Sequence, residues 1–401
     1  VKKVISILHH PLPQEGGRLA EEAGFGWHFR SAKALARYGG YKAIAARPCE
    51  GSRTAYRIVD GVAVLLTPSA NLSPSPRIWK WSWVSNALAD LAEEAVKQGF
   101  LPYVHEYRAL NSELVIRRIA DHPVILQHHG SPPPGRSGSR GLLDFIKGLS
   151  KLRRERYLRR IRGTFFVLNE REKFYLENIL NVDAEVVVRT MAVDFNELKP
   201  LSAEEKAEVR RRFGIGDDAA VLITYVGVFG ERFSSVKGAH HLLSIWRQLR
   251  SRLKSKVEMV VTGVSEPYLS ALRRVGVKAY KLLPHDNYVK LVAASDVYFL
   301  PATSGYSYGG ISVAAMEAMA VGVPVVSPTL REFPEPSRVE DLGAATGYVD
   351  DVKALKEFID ALTYVVENRE CYKPWGIREL AKKYYSWESF VKAFDAAARK
   401  L

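Results

Sequence analysis

Short apolar runs alternate with amphipathic stretches along nearly all of the 401 residues, and the alternation occurs twice. In the first half, runs at 4–8, 42–46, 61–66, 101–104, 124–127, 164–168 and 184–189 read as strands. Segments 27–38, 84–98, 112–120 and 142–162 carry apolar residues near helical spacing. Gly39-Gly40 closes the first of these helices. The second half repeats the grammar, with strands at 221–226, 257–262, 278–282, 297–300 and 323–327. Its helices fall at 239–253, 267–275, 287–294, 312–320 and 352–367. Strands separated by helices run parallel, with the helices packed on the sheet faces. The expected fold class is therefore α/β, as two doubly wound, Rossmann-like domains facing across a cleft. The polar stretch 191–205 reads as their connection. Ligands of such sheets bind outside the carboxyl ends of the strands, so the segments just after the strands carry the chemistry.

Several function classes are disfavoured at once. No run of 18 apolar residues occurs, which argues against a transmembrane helix. The stretch from Val1 to Leu8 is too short an apolar run for a secretory signal and reads as a first buried strand. Cys49 and Cys371 cannot build a disulfide framework or a Cys-rich zinc site. The expected compartment is the reducing cytoplasm. The His128-His129 and His9-His10 pairs show no metal-ligand pattern, and no metal is expected. Net charge is +14, and residues 147–162 alone, with eight basic residues and one acid, supply +7. A basic amphipathic helix over 142–162 suits an anionic membrane surface. Trp79, Trp81 and Trp83 follow a proline-rich loop and are candidates for the same interface. Nothing resembling a nucleic-acid module accompanies the charge, so no nucleic-acid partner is expected.

The most informative segment runs from Pro301 to Val326. A strand ends at Leu300, a loop of small residues follows, and a helix opens near Gly310 to Ser312. Gly309 and Gly310 permit close backbone approach, and a helix N-terminus offers unpaired N–H groups to an anion or to sugar hydroxyls. Glu317 lies on this helix among Ala, Met and Val, where a carboxylate needs partners. From Glu317 to Val326 the sequence resembles the signature of glycosyltransferase family 4, the retaining group with the GT-B fold. The family's first signature glutamate falls on Gly309, its Phe on Ile311 and its Gly on Ser312. The resemblance implies that Glu317 holds the ribose of a nucleotide-sugar donor. It leaves contact with the transferred sugar to backbone N–H groups and to Ser307, Tyr308 or Ser312.

Other segments fall in family order. The run from Val221 to Gly238 is similar to the family's phosphate-clamping element, with Lys237-Gly238 at the clamp. Val228 stands where the family has Arg, and Arg232 lies four residues later on the same loop. Cations suit that position because negative charge grows on the departing phosphate. Gly16-Gly17, after the first strand, matches a glycine loop that approaches the donor phosphate, and His129-Gly130 matches a histidine near the transferred sugar. The implied catalytic set is His129, Lys237 and Glu317. The implied donor-binding set is Gly16, Gly17, Arg232, Lys237, Gly238, Gly309, Gly310, Ile311, Ser312 and Glu317. The expected protein is a glycosyltransferase with an acceptor domain at 1–195, completed by a C-terminal helix from about 384 to 401, and a donor domain at 196–383. It needs no cofactor beyond its UDP- or GDP-sugar substrate and no catalytic metal. Its acceptor is a glycan or a lipid-linked molecule, and peripheral contact with the inner face of the membrane is expected through 142–162. The rival is a non-catalytic nucleotide-sugar-binding partner of the same fold, which the glycine at 309 and the valine at 228 suggest.

Overall fold

The computed structural model describes residues 2–9, 27–50, 54–72, 83–133, 155–225, 227, 235–253 and 256–401. The chain divides into two units, one made of Val1–Met191 with Trp387–Leu401, the other of Ala192–Ser386.

The first unit is built on one sheet of nine strands. These are β1 (Lys3–Ile7), β2 (Lys42–Glu50), β3 (Ala55–Val59), β4 (Val62–Asn71), β5 (Trp83–Val84), β6 (Leu101–His105), β7 (Val124–Gln127), β8 (Gly163–Val167) and β9 (Glu185–Val188). The order is β3-β4-β2-β1-β6-β7-β8-β9, with β5 paired to β4. From β4 to β9 neighbours run parallel; β1, for example, sets Ile5 against both Ile44 and Pro102. The central strands are buried on both faces, which is why they read as unbroken apolar runs. Helices α1 (Trp27–Gly39), α2 (Asn86–Lys97) and α3 (Leu110–Arg118) lie between strands.

Two features depart from expectation. β3 is an antiparallel edge strand joined to β4 by Asp60-Gly61. Both turn residues have positive φ, 48° and 78°, as the two-residue hairpin turn that matches strand twist requires. The helix expected over 142–162 falls largely outside the described residues, and its described end is a 3-10 turn at Arg156–Arg160. Glu155, Leu158 and Ile161 are the buried positions, spaced three apart, which fits three residues per turn. Arg156, Arg159, Arg160 and Arg162 remain exposed.

Glu155 belongs to a buried charge cluster. Arg108 donates from Nε to Glu155 at 3.0 Å, from Nη2 to Glu172 at 2.6 Å and from Nη1 to the Ser131 carbonyl at 2.9 Å. Tyr175 donates to the other oxygen of Glu155 at 2.8 Å, and Tyr107 donates to Glu172. Among the described residues Arg108 is the one cation paired with these carboxylates, and removing it would strand both of them. Arg108→Met is expected to destabilise the protein by about 3–5 kcal/mol, read as a lower urea midpoint with unchanged slope.

The second unit holds six parallel strands: β10 (Ala220–Tyr225), β11 (Val257–Thr262), β12 (Lys278–Ala279), β13 (Val297–Phe299), β14 (Val325–Ser327) and β15 (Gly343–Ala345). Their order, β12-β11-β10-β13-β14-β15, is the doubly wound 3-2-1-4-5-6 arrangement. Alternate residues feed two cores: Val221, Ile223, Val260 and Tyr298 face one, while Leu222, Met259, Val261 and Phe299 face the other. The helices are α4 (Ala203–Arg212), α5 (Leu242–Arg252), α6 (Tyr268–Arg274), α7 (His285–Ala293), α8 (Val313–Ala320), α9 (Val352–Glu367) and α10 (Pro374–Tyr385). The last helix, α11 (Trp387–Ala398), packs in the first unit, with Phe394 5.2 Å from the Tyr103 ring and 6.4 Å from Phe166.

Candidate functional site

The switch point of the second sheet lies between β10 and β13, where strand order reverses. Two loops leave the carboxyl ends there, and they are fastened together. The Thr303 N–H donates to the Val236 carbonyl at 2.9 Å. A Cβ at Gly238, whose φ is +78°, would sit 1.9 Å from the Pro301 carbonyl oxygen. Only glycine permits that approach, so the glycine after Lys237 presses one loop onto the other.

Lys237 is 5% exposed, and its Nζ lies 4.7 Å from the Tyr225 ring centroid. Burial pushes its ammonium down to about 8. Tyr225 is the last residue of β10, and its ring meets that of Tyr288 at 5.6 Å. Burial, and then the Glu317 carboxylate, push the Tyr225 phenol up.

Glu317 is buried on α8, and its Oε1 lies 2.7 Å from Nε2 of His285, the first residue of α7. The Ser312 side chain caps α8 by accepting the Ala315 N–H at 3.1 Å. Gly310 has φ +58°, while Ile311, Ser312, Ser307 and Tyr308 are buried. A Cβ at Gly309 would lie 2.6 Å from the Tyr306 ring. The tyrosine thus fills the space that a longer side chain at 309 would need. Lys237, Gly238, Gly309, Gly310, Ile311, Ser312 and Glu317 therefore all sit on the two switch-point loops and the helix that follows. Gly16, Gly17 and Arg232 lie outside the described residues, as do Val228, Trp79 and Trp81.

His129 belongs to the first unit, just beyond β7, at that sheet's own carboxyl end. Its Nε2 lies 2.9 Å from Nδ1 of His105, and His105 Nε2 lies 2.9 Å from the Ser6 hydroxyl. Ser6 is the penultimate residue of β1, His105 ends β6 and His129 follows β7, three adjacent strands. Burial holds the His105 imidazole well below its ordinary range, and His9 adds to the effect. Glu106, with φ +50°, accepts the His129 N–H at 3.1 Å. Among the described residues no group of three or more His, Cys, Asp or Glu is placed to hold a metal ion. None of their helices is long and apolar enough to cross a membrane.

Tyr225, Tyr288, His285 and His105 are absent from the sequence-derived set. The strand-end rule points to Tyr225 and His105, and the three-residue spacing of His285 and Tyr288 puts them on one helix face.

Comparison with known proteins bears on the family and the fold. Residues 208–383 match the family Glycosyl transferases group 1. A GDP-mannose-dependent monoacylated alpha-(1-6)-phosphatidylinositol monomannoside mannosyltransferase of Corynebacterium glutamicum is 27% identical over 208 residues, 49% of this chain and 51% of that protein. The chain spans about half the length of the curated relatives it matches. Sucrose-phosphate synthase from Thermosynechococcus elongatus shares the fold at a TM-score of 0.69 and 16% identity, covering 100% of this chain and 99% of that one. Anabaena Alr3699/HepE in complex with UDP does so at 0.64 and 14%, with 100% of each chain covered. Residues 208–383 are thus similar to the glycosyl transferases group 1 family, and the chain has the two-unit, Rossmann-like GT-B fold.

Proposed function

We propose that this chain transfers a hexose from a nucleotide-sugar to an acceptor hydroxyl with retention of configuration. The carrying observation is the placement of Lys237 and Glu317 at the switch point of one sheet, each acting on Tyr225. Lys237 faces the diphosphate and stabilises the charge that grows as the sugar departs. Glu317 accepts from the ribose hydroxyls. The capped N-terminus of α8 offers its N–H groups to the sugar side of the donor. No catalytic metal is needed in this reading, because Lys237 and the helix end balance the diphosphate.

The mannosyltransferase relative makes GDP-mannose the first donor to try and a lipid-linked molecule the first acceptor. The four exposed arginines from 156 to 162 suit an anionic headgroup layer, and co-sedimentation with anionic against neutral vesicles tests that contact. Titration calorimetry with GDP-, UDP- and ADP-sugars tests the donor reading. One donor is expected to bind with a micromolar to millimolar Kd, and no heat from any of them in the folded protein overturns it. Gly309 favours the second reading, a donor-binding protein without turnover. Binding without transfer or donor hydrolysis would select it.

A further inference from the structure

The Glu317 carboxylate does not stand alone. Its side chain is 6% exposed, whereas that of His285, bonded to it at 2.7 Å, is 40% exposed. The imidazole therefore lies between the buried carboxylate and the surface of the unit. His285 opens α7, and Tyr288, three residues on, lies against Tyr225. The first turn of α7 thus delivers one side chain to Glu317 and another to the tyrosine beneath Lys237. Tyr288 is buried in the second unit's core, which fixes the turn that presents His285.

We infer that His285 is a positioning residue for donor recognition: its hydrogen bond holds the Glu317 carboxylate in the orientation that receives the ribose diol. This rests on the reading of Glu317 as the ribose ligand. A glutamate has three side-chain torsions, and a carboxylate locked before the ligand arrives loses less freedom on binding. The carboxylate has about four acceptor sites. One bond to imidazole leaves capacity for both ribose hydroxyls. His285 then acts on affinity through Glu317, so its effect must vanish when the ribose hydroxyls are removed.

The test uses the full chain and calorimetry with GDP and UDP, each beside its 2′,3′-dideoxy analogue. The wild type is expected to favour the ribonucleotide of its preferred base by roughly a hundredfold. His285→Ala is expected to lower that preference about tenfold while leaving dideoxynucleotide affinity unchanged. His285→Gln, which keeps an N–H donor, is expected to restore most of the preference. In the Glu317→Gln background, His285→Ala should add nothing. A wild type that does not distinguish the two sugars overturns the ribose reading of Glu317 and this inference with it. A wild type that does, with the preference intact in His285→Ala or with both nucleotides weakened equally, overturns the positioning role alone. The melting transition of each variant confirms that it is folded.

Discussion

Lys237→Met is expected to slow turnover by roughly 10²–10³-fold and, at neutral pH, to make the protein more stable. Both effects have one origin. The ammonium is 5% exposed, and burial pushes its pKa from 10.5 down to about 8. The unfolded chain binds the proton more tightly than the folded one, so stability rises with pH between about 8 and 10.5. Below that window the charged lysine costs the fold about 3 kcal/mol, which methionine would relieve. A melting scan at pH 7 should therefore show the variant above the wild type, with the gap closing as pH approaches 10.5. The functional side follows the same titration with opposite sense. Above about pH 8 the free protein loses this cation, so donor affinity should fall by up to tenfold per pH unit, with proton uptake on binding. A flat affinity profile from pH 7 to about 10, or an unchanged kcat in the methionine variant, would remove Lys237 from the diphosphate.

Glu317→Ala should act elsewhere in the kinetics. In the proposed role the carboxylate would hold a part of the donor that does not react, so its loss would weaken ground and transition states alike. Two hydrogen bonds to a charged acceptor are lost, a change of about 3 kcal/mol or roughly a hundredfold in KM, with a much smaller effect on kcat. The pair of variants separates leaving-group stabilisation from anchoring, and an alanine variant whose loss falls mainly on kcat would count against the anchoring role.

The parts of this site that could be read from sequence are those with local signatures. Glu317 stands out as a carboxylate within an apolar helical turn, and Lys237-Gly238 as a cation beside a glycine whose positive φ the structure requires. The alternating strands and helices announced two largely parallel sheets for the same reason: each period is local. The Asp60-Gly61 hairpin and the Ser202–Glu205 capping box that opens α4 are local signals too, but they lie inside stretches that read as ordinary strand boundary and linker. The cluster at Arg108 joins residues 47 and 64 positions away, a pairing set by tertiary packing alone. His285 and Glu317 are 32 apart and meet only because α7 and α8 are neighbours in the second unit. The stretch 155–162 misled by its spacing, since apolar residues three apart suit a 3-10 turn as well as one face of an α-helix.

The return of α11 to the first unit has a consequence for biosynthesis. Residues Ala192–Ser386 are continuous, so the second unit can close as it leaves the ribosome. The first sheet emerges earlier yet must wait, because Phe390 and Phe394 cover Tyr103 and Phe166 only once residues 387–398 have been translated. Throughout that delay its aromatic face is open to chaperones and to self-association, and a premature stop ahead of Trp387 would leave it so permanently.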